Sequence, residues 1–153
     1  MQPKTRILFV CHGNICRSPM AEYVMKDLVA KAGLEDFFEI ASAATSTEEI
    51  GEDVYPPVRR VLAEKGIPAP PRKARQIRRS DAEYYDMLIA MDSQNLRNMR
   101  LALGDDAAPK IHKLMEFAGS TEDVADPWYS RDFRGCYEDV VAGCTGLLSH
   151  LGW

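Results

Sequence analysis

Cys11 and Arg17 bracket a short run, His12-Gly13-Asn14-Ile15-Cys16, and Ser18-Pro19 follow directly. A thiol can become a nucleophile, and a guanidinium offers a planar fork that matches two oxygens of a phosphate-like anion. By itself a Cys and an Arg at this spacing is a weak signal, and a cysteine at a strand end can simply be a small buried hydrophobe. The flanks strengthen it. Arg6 to Val10 is a short, β-rich apolar run, read as a buried strand. Ser18 suits an N-cap and Pro19 the first helical position, so a helix is expected to start there. Gly13 and Asn14 both tolerate positive φ, which a tight loop needs if its N–H groups are to converge. Converging amides at a helix N-terminus form an anion nest. A thiolate there, beside an Arg, is stabilised, so Cys11 is expected to ionise more readily than a free thiol. The Ser18 hydroxyl either caps the helix or donates to that thiolate. No Gly-Lys-Ser/Thr follows, so this is not a nucleotide P-loop.

The elements that must position this turn alternate in type. The first helix carries Ala21, Val24, Met25, Leu28 and Ala32 at helical spacing and stops at Gly33. Phe37 to Ala43 reads as a second strand, followed by a polar loop from Thr45 to Tyr55. Pro56-Pro57 opens a helix with Val58, Val61 and Leu62, ended by Gly66. Ile67 to Arg79, rich in proline and basic side chains, reads as a surface loop with one helical turn. Its cluster of Arg72, Lys73, Arg75, Arg78 and Arg79 reads as a solvated stretch, or as a long-range attractor of phosphorylated partners. Met87 to Ala90 is a third strand. Asp92 or Ser93 caps a helix through Leu96, Met99 and Leu103, closed by Gly104, and Ile111 marks a fourth strand. A long loop runs to Asp132, and the last helix sets Tyr137, Val140, Val141, Cys144, Leu147, Leu148 and Leu151 on one face. Strands separated by helices imply an α/β fold with a parallel sheet, whose ligands bind at the strands' carboxyl ends.

Beyond the Cys loop, Ser42-Ala43-Ala44-Thr45, Ala74-Arg75-Gln76, Ala90-Met91-Asp92 and Asp126-Pro127-Trp128-Tyr129 follow in order. With Val10-Cys11-x-Gly13-Asn14-Ile15-Cys16-Arg17-Ser18-Pro19, the chain resembles the low-molecular-weight protein tyrosine phosphatases along its whole length. That resemblance implies one phosphatase domain over 1–153. It implies a three-layer sandwich with a four-stranded parallel sheet, order 2-1-3-4, between helices. It implies attack by Cys11 on phosphorus to give a cysteinyl-phosphate, with Arg17 and Asp126 as the other catalytic residues. His12, Gly13, Asn14, Ile15, Cys16 and Ser18 would form the phosphate cradle, with Asn14 fixing its shape. Asp126 would protonate the leaving oxygen and then activate water. The residues alone allow a plainer reading, in which Asp-Pro only starts a turn. Trp128 and Tyr129 would wall a cleft for a phosphorylated ring, or else simply anchor the loop. Cys16 would pair reversibly with an oxidised Cys11. No metal or cofactor is implied. The implied substrate is a phosphotyrosine protein or small aryl phosphate, and in bacteria a tyrosine kinase is an implied partner.

Four positions depart from the family's pattern. Glu48 stands nearest the place of a cleft aromatic, where it would repel anionic substrates and attract basic flanks. His12 replaces an apolar residue and is read as packing at the rim. Ala44 replaces a glycine, and Arg72 stands where a histidine is frequent.

Length and composition set the outer bounds. The chain has 153 residues, net charge −4 and four cysteines. That balance argues against a nucleic-acid partner, and the cysteines are too few for a disulfide framework. The apolar run Ile7 to Val10 is too short for a signal core or a membrane span, so a cytoplasmic enzyme is expected; a monomer is the default expectation, with oligomeric state left open. Two other functions stay open. An arsenate reductase shares the fold and loop but needs two redox cysteines mid-chain, and none lies between Cys16 and Cys136. A non-catalytic phosphate-binding module would not need a nucleophile and an acid together.

Overall fold

The computed structural model describes residues 3–153. Four strands, β1 (Thr5–Cys11), β2 (Phe38–Ala44), β3 (Met87–Ala90) and β4 (Ile111–Lys113), form one parallel sheet in the order β2-β1-β3-β4. Among the described residues six α-helices accompany them: α1 (Arg17–Lys31), α2 (Pro56–Glu64), α3 (Asp81–Tyr84), α4 (Ser93–Leu103), α5 (Pro127–Ser130) and α6 (Phe133–His150). The expected order 2-1-3-4 and the helical cover on both faces are what is found.

Strand alternation divides the core in two. Ile7, Phe9 and Cys11 of β1 point to one face, where they join α1, α2 and α6 through Met20, Val24, Val58, Leu62, Val140 and Leu147. Leu8 and Val10 point to the other, against Met99 and Leu103 of α4. β1 is central and covered on both sides, which is why Ile7 to Val10 is an unbroken apolar run.

Helix α6 crosses unusually close to a 3-10 segment at Leu114–Ala118, because Gly146 has no side chain. A Cβ there would lie 1.8 Å from the Phe117 carbonyl oxygen.

The structure corrects several boundaries. The first two strands are Thr5–Cys11 and Phe38–Ala44, and Phe37 ends a 3-10 turn, Glu35–Phe37, rather than opening the second strand. The stretch read as a solvated surface loop from Ile67 to Arg79 runs extended, with no helical turn inside it. It buries Ile67, Ala74 and Ile77 and bridges to the sheet through Ala44 and Gln76; the helical turn comes later, as α3. The loop expected between β4 and Asp132 is interrupted by Leu114–Ala118 and α5.

Candidate active site

The carboxyl end of β1 and the start of α1 form the floor. Cys11, the last residue of β1, is buried, and the chain then curls around its sulfur. Asn14 takes φ +60 at the tightest point, the left-handed region that Asn tolerates better than most residues. Its N–H points at Cys11 Sγ, 3.3 Å away. Gly13 does not take positive φ, contrary to expectation. Its lack of a side chain matters instead because a Cβ would stand 3.3 Å from Glu49 Cγ.

Helix α1 begins at Arg17 and its N-cap position, Cys16, makes no side-chain cap. Ser18 is therefore not the cap. It lies inside the first turn, fully buried, with Oγ 3.0 Å from Cys11 Sγ. Of the two roles open to its hydroxyl, the structure realises the contact with the thiol. The helix start also faces the sulfur with its positive dipole end.

Arg17 is 3% exposed. Its Nη1 donates to Asp92 Oδ2 at 2.7 Å and to the Val124 carbonyl at 2.8 Å, while Nη2 lies 3.5 Å from Asp126 Oδ2. Burial alone would lower its ionisation. Cys11, then the hydrogen bond and charge of Asp92, then Asp126 more than offset it, so the guanidinium is held charged. Asp92 also caps α4 through Asn95 N–H at 2.7 Å. Sequence reading identified that cap but not the Arg17 contact. A pointer was available, since Asp92 follows β3 and β3 pairs with β1 at Val10↔Ala90, which brings both strand ends together.

Asp126 combines the two readings its sequence allowed. Oδ1 accepts from Trp128 N–H at 3.0 Å, which starts α5, and Oδ2 faces Arg17. Trp128 is half exposed and packs on Tyr55, ring centres 4.9 Å apart. Tyr55 lies in the polar loop and was not singled out from sequence. Tyr129 is 83% exposed, a lip rather than a packed wall. A cleft of about 80 Å³ opens over Cys11, lined by His12, Gly13, Ile15, Cys16, Arg17, Glu48, Glu49, Asp126, Trp128 and Tyr129. His12 sits at the rim as expected, held by a 3.0 Å contact from Nε2 to Glu48 Oε2. Asn14 and Ser18 lie beneath the cleft, behind its floor.

The other thiols surround the nucleophile without sharing its setting. Burial, then the charges of Cys11 and Asp126, pushes the Cys16 thiol up. Cys136 is raised to about 12, mainly by burial. Cys144 is core, as expected, with its thiol on the Ala21 carbonyl. The basic run is not a solvated cluster throughout. Arg75 forms an ion pair with Asp81, and Arg72 reaches inward to Ser42.

A buried thiol ringed by donors, a held guanidinium and a carboxylate above it can bind a tetrahedral oxyanion, attack its centre and exchange a proton with a departing oxygen. Known proteins agree with that chemistry. The chain is 35% identical over 147 residues to the low-molecular-weight protein-tyrosine-phosphatase YfkJ of Bacillus subtilis, covering 95% of this chain and 94% of that protein. The YfkJ crystal structure superposes with a TM-score of 0.94, covering 98% of this chain and 96% of that one. A Streptomyces coelicolor low-molecular-weight protein-tyrosine-phosphatase is 42% identical over 151 residues, covering 94% and 92%. The crystal structure of a Drosophila arginine phosphatase superposes with a TM-score of 0.86 at 30% identity, covering 96% and 98%. The model of the family described as low molecular weight phosphotyrosine protein phosphatase matches residues 6–152, and the chain belongs to that family.

Proposed function

We propose that residues 1–153 form one phosphatase domain that hydrolyses phosphotyrosine and related aryl phosphates in two steps, with Cys11, Arg17 and Asp126 as its catalytic residues. The observation that carries the reading is the arrangement around Cys11 Sγ: Asn14 N–H at 3.3 Å, Ser18 Oγ at 3.0 Å, and the Arg17–Asp126 contact beside them in the same cleft. In the first step the Cys11 thiolate attacks phosphorus. The S–P bond forms as the P–O ester bond breaks, and Asp126 gives its proton to the departing phenol oxygen. In the second step Asp126, now a carboxylate, takes a proton from water. That water attacks phosphorus, the S–P bond breaks and inorganic phosphate leaves. Both Nη1 protons of Arg17 are engaged by Asp92 and Val124, so the fork left for the phosphoryl oxygens is the Nε–Nη2 edge. The backbone amides of residues 12–16 supply the other donors to those oxygens, where charge spreads in the transition state.

Trp128 supports an aryl substrate: it lines the cleft and is braced by Tyr55, whose ring centre lies 4.9 Å away at a tilt of 53°. Glu48 and Glu49 at the mouth support basic residues beside the phosphotyrosine. They also favour a second reading, a phosphorylated guanidinium, which stays cationic near its phosphoryl group. The physiological partner on the first reading is a phosphotyrosine protein such as a bacterial tyrosine kinase. The enzyme is read as a cytoplasmic monomer; among the described residues no helix is long and apolar enough to cross a membrane.

Hydrolysis of p-nitrophenyl phosphate, a phosphotyrosine peptide and a phosphoarginine peptide tests both readings. Cys11→Ser should abolish turnover, and Asp126→Ala should lower kcat far more than KM. Retained activity in Cys11→Ser would sink the mechanism. A higher kcat/KM on phosphoarginine than on phosphotyrosine would replace the first substrate class with the second.

A further inference from the structure

Asp126 has little of its own to hold it. Among the described residues its carboxylate meets two partners. Oδ1 accepts the N–H of Trp128, from the same loop, and Oδ2 lies 3.5 Å from Arg17 Nη2. The second distance is beyond an ordinary N–H···O hydrogen bond. The place of the acid is therefore inherited from the backbone that carries it. From Gly119 to Asp126 that backbone belongs to no helix or strand.

Two attachments tie this stretch down. At Val124 both main-chain groups are bonded: the N–H donates to the Met91 carbonyl at 2.9 Å, and the carbonyl accepts from Arg17 Nη1 at 2.8 Å. Both bonds belong to one residue, so by themselves they leave the loop free to pivot about it. The second attachment comes from Lys113, the last residue of β4, whose side chain is 15% exposed. Its Nζ has three protons and finds three acceptors: Asp123 Oδ1 at 2.7 Å, the Thr121 carbonyl at 3.0 Å and Ser93 Oγ at 3.3 Å. Ser93, which opens α4, donates its N–H and its hydroxyl to the same Asp123 oxygen, each at 3.2 Å. One ammonium thus clamps the loop to the end of β4 and the start of α4. Burial alone would raise the Asp123 carboxyl. The hydrogen bond and charge of Lys113, then Ser93, more than offset that and hold it below the ordinary carboxylate value, so the clamp is charged at neutral pH.

We propose that Lys113 and Asp123 are positioning residues for the catalytic acid: by holding Thr121 and Asp123 against Ser93, the ammonium removes the pivot at Val124 and sets where the Asp126 carboxyl stands over a departing oxygen. This rests on Asp126 being that acid. Neither Lys113 nor Asp123 lines the cleft, and they act on the reaction through the three-residue step from Asp123 to Asp126. A catalytic group misplaced by about 1 Å can lose about a hundred-fold in rate, so a clamp of small worth to stability has a large effect on turnover.

A displaced acid has a signature that a loosened fold lacks. p-Nitrophenolate departs readily without a proton. Phenolate, whose conjugate acid has a tyrosine-like pKa of about 10, needs one. The readout is the ratio of kcat/KM for phenyl phosphate to that for p-nitrophenyl phosphate, measured on the full chain, since kcat/KM covers the step in which the ester bond breaks. Lys113→Met should cut the phenyl phosphate value by about ten-fold or more and the p-nitrophenyl phosphate value by less than about three-fold. Asp123→Ala, at a half-exposed site, should give the same split, and it carries the test if Lys113→Met does not fold. Asp126→Ala is the reference and should give the largest split. A split in Asp126→Ala with an unchanged ratio in the other two variants, whatever their overall loss of rate, overturns the positioning role alone. An unchanged ratio in Asp126→Ala overturns the acid reading, and the positioning role with it.

Discussion

Arg17 Nη1 and Asp92 Oδ2 stand 2.7 Å apart across the carboxyl ends of β1 and β3. Arg17 is 3% exposed at the side chain and Asp92 is 20% exposed. A charge this buried must be compensated, and Asp92 does so while also capping α4. The two roles can be separated. Asp92→Asn keeps a good cap and loses the charge; Asp92→Ala loses both. Asp92→Asn should lower kcat/KM and also destabilise the fold, because it removes a charge that compensates buried Arg17. Asp92→Ala should lower activity as far and cost about 1 kcal/mol more in urea denaturation, the usual worth of a cap. Equal stability of the two variants would show that the cap contributes nothing.

That pair also marks where sequence reading stopped. Strand and helix identities followed from periodicity: the run Ile7 to Val10 is apolar because β1 is covered on both faces, and Asp92 was legible as a cap from its place before Leu96 and Met99. Its contact with Arg17 was not, because that depends on which strands are neighbours and in what register. Ser18 before an apolar helical pattern looked like a cap, yet the helix starts at Arg17, two residues before Pro19, and the Ser18 hydroxyl lies against Cys11 instead. Tyr55 and Arg72 were obscured by their surroundings. A polar loop and a Pro/Arg-rich run look solvated, but Ile67, Ala74 and Ile77 pin the second to the core at irregular spacing that no periodic pattern announces.

At the mouth, His12 Nε2 and Glu48 Oε2 lie 3.0 Å apart, with side chains 48% and 66% exposed. An exposed pair adds little to stability, so its weight falls on what approaches the cleft. Glu48→Gln should leave kcat on p-nitrophenyl phosphate unchanged. It should raise kcat/KM by roughly two- to five-fold for phosphotyrosine peptides with acidic flanks, the span of a surface charge interaction, and lower it for basic ones. Equal effects on both peptides would show that Glu48 does not select by charge.

The close crossing of α6 over Leu114–Ala118 makes Gly146 a sharp probe of packing. An alanine Cβ would meet the Phe117 carbonyl oxygen and carbon at 1.8 and 2.5 Å, both backbone atoms that cannot swing aside. Gly146→Ala should destabilise the fold by about 1–3 kcal/mol or more, despite alanine's better helix propensity. Thermal unfolding at neutral pH checks this. A stability gain would mean that helix and 3-10 segment sit further apart than described.

Three buried thiols predict an alkaline limit. Burial raises Cys16, Cys136 and Cys144 above the ordinary thiol value of 9.0. Above that pH the unfolded chain loses these protons while the folded chain keeps them. The unfolded state then binds fewer protons, and stability falls as pH rises. Below 9 the contribution is fully present; between 9 and about 12, the value for Cys136, it declines. The steepest loss is about 1.4 kcal/mol per pH unit for each thiol. Urea midpoints should be flat from pH 7 to 8.5 and drop from 9 to 10.5, and Cys144→Ala should flatten that drop. An unchanged slope in Cys144→Ala would remove this thiol from the linkage.

The same burial bears on the redox role that the family resemblance implies for Cys16. On that reading, peroxide would oxidise the Cys11 thiolate to a sulfenic acid, releasing hydroxide. The Cys16 thiolate then attacks that sulfur, the S–S bond forms, and the oxygen leaves as hydroxide or water. The second step needs a thiolate, and burial holds Cys16 protonated at neutral pH. Each unit of added pH raises its thiolate fraction about ten-fold, so the disulfide should gain on the competing sulfinic acid as pH rises. Mass spectrometry after mild peroxide at pH 6.5, 7.5 and 8.5 gives the Cys11–Cys16 disulfide to sulfinate ratio. It should climb across the series in the native chain, and Cys16→Ser should yield only the over-oxidised forms. A ratio that does not change with pH would mean that Cys16 is not the thiol that resolves the sulfenic acid.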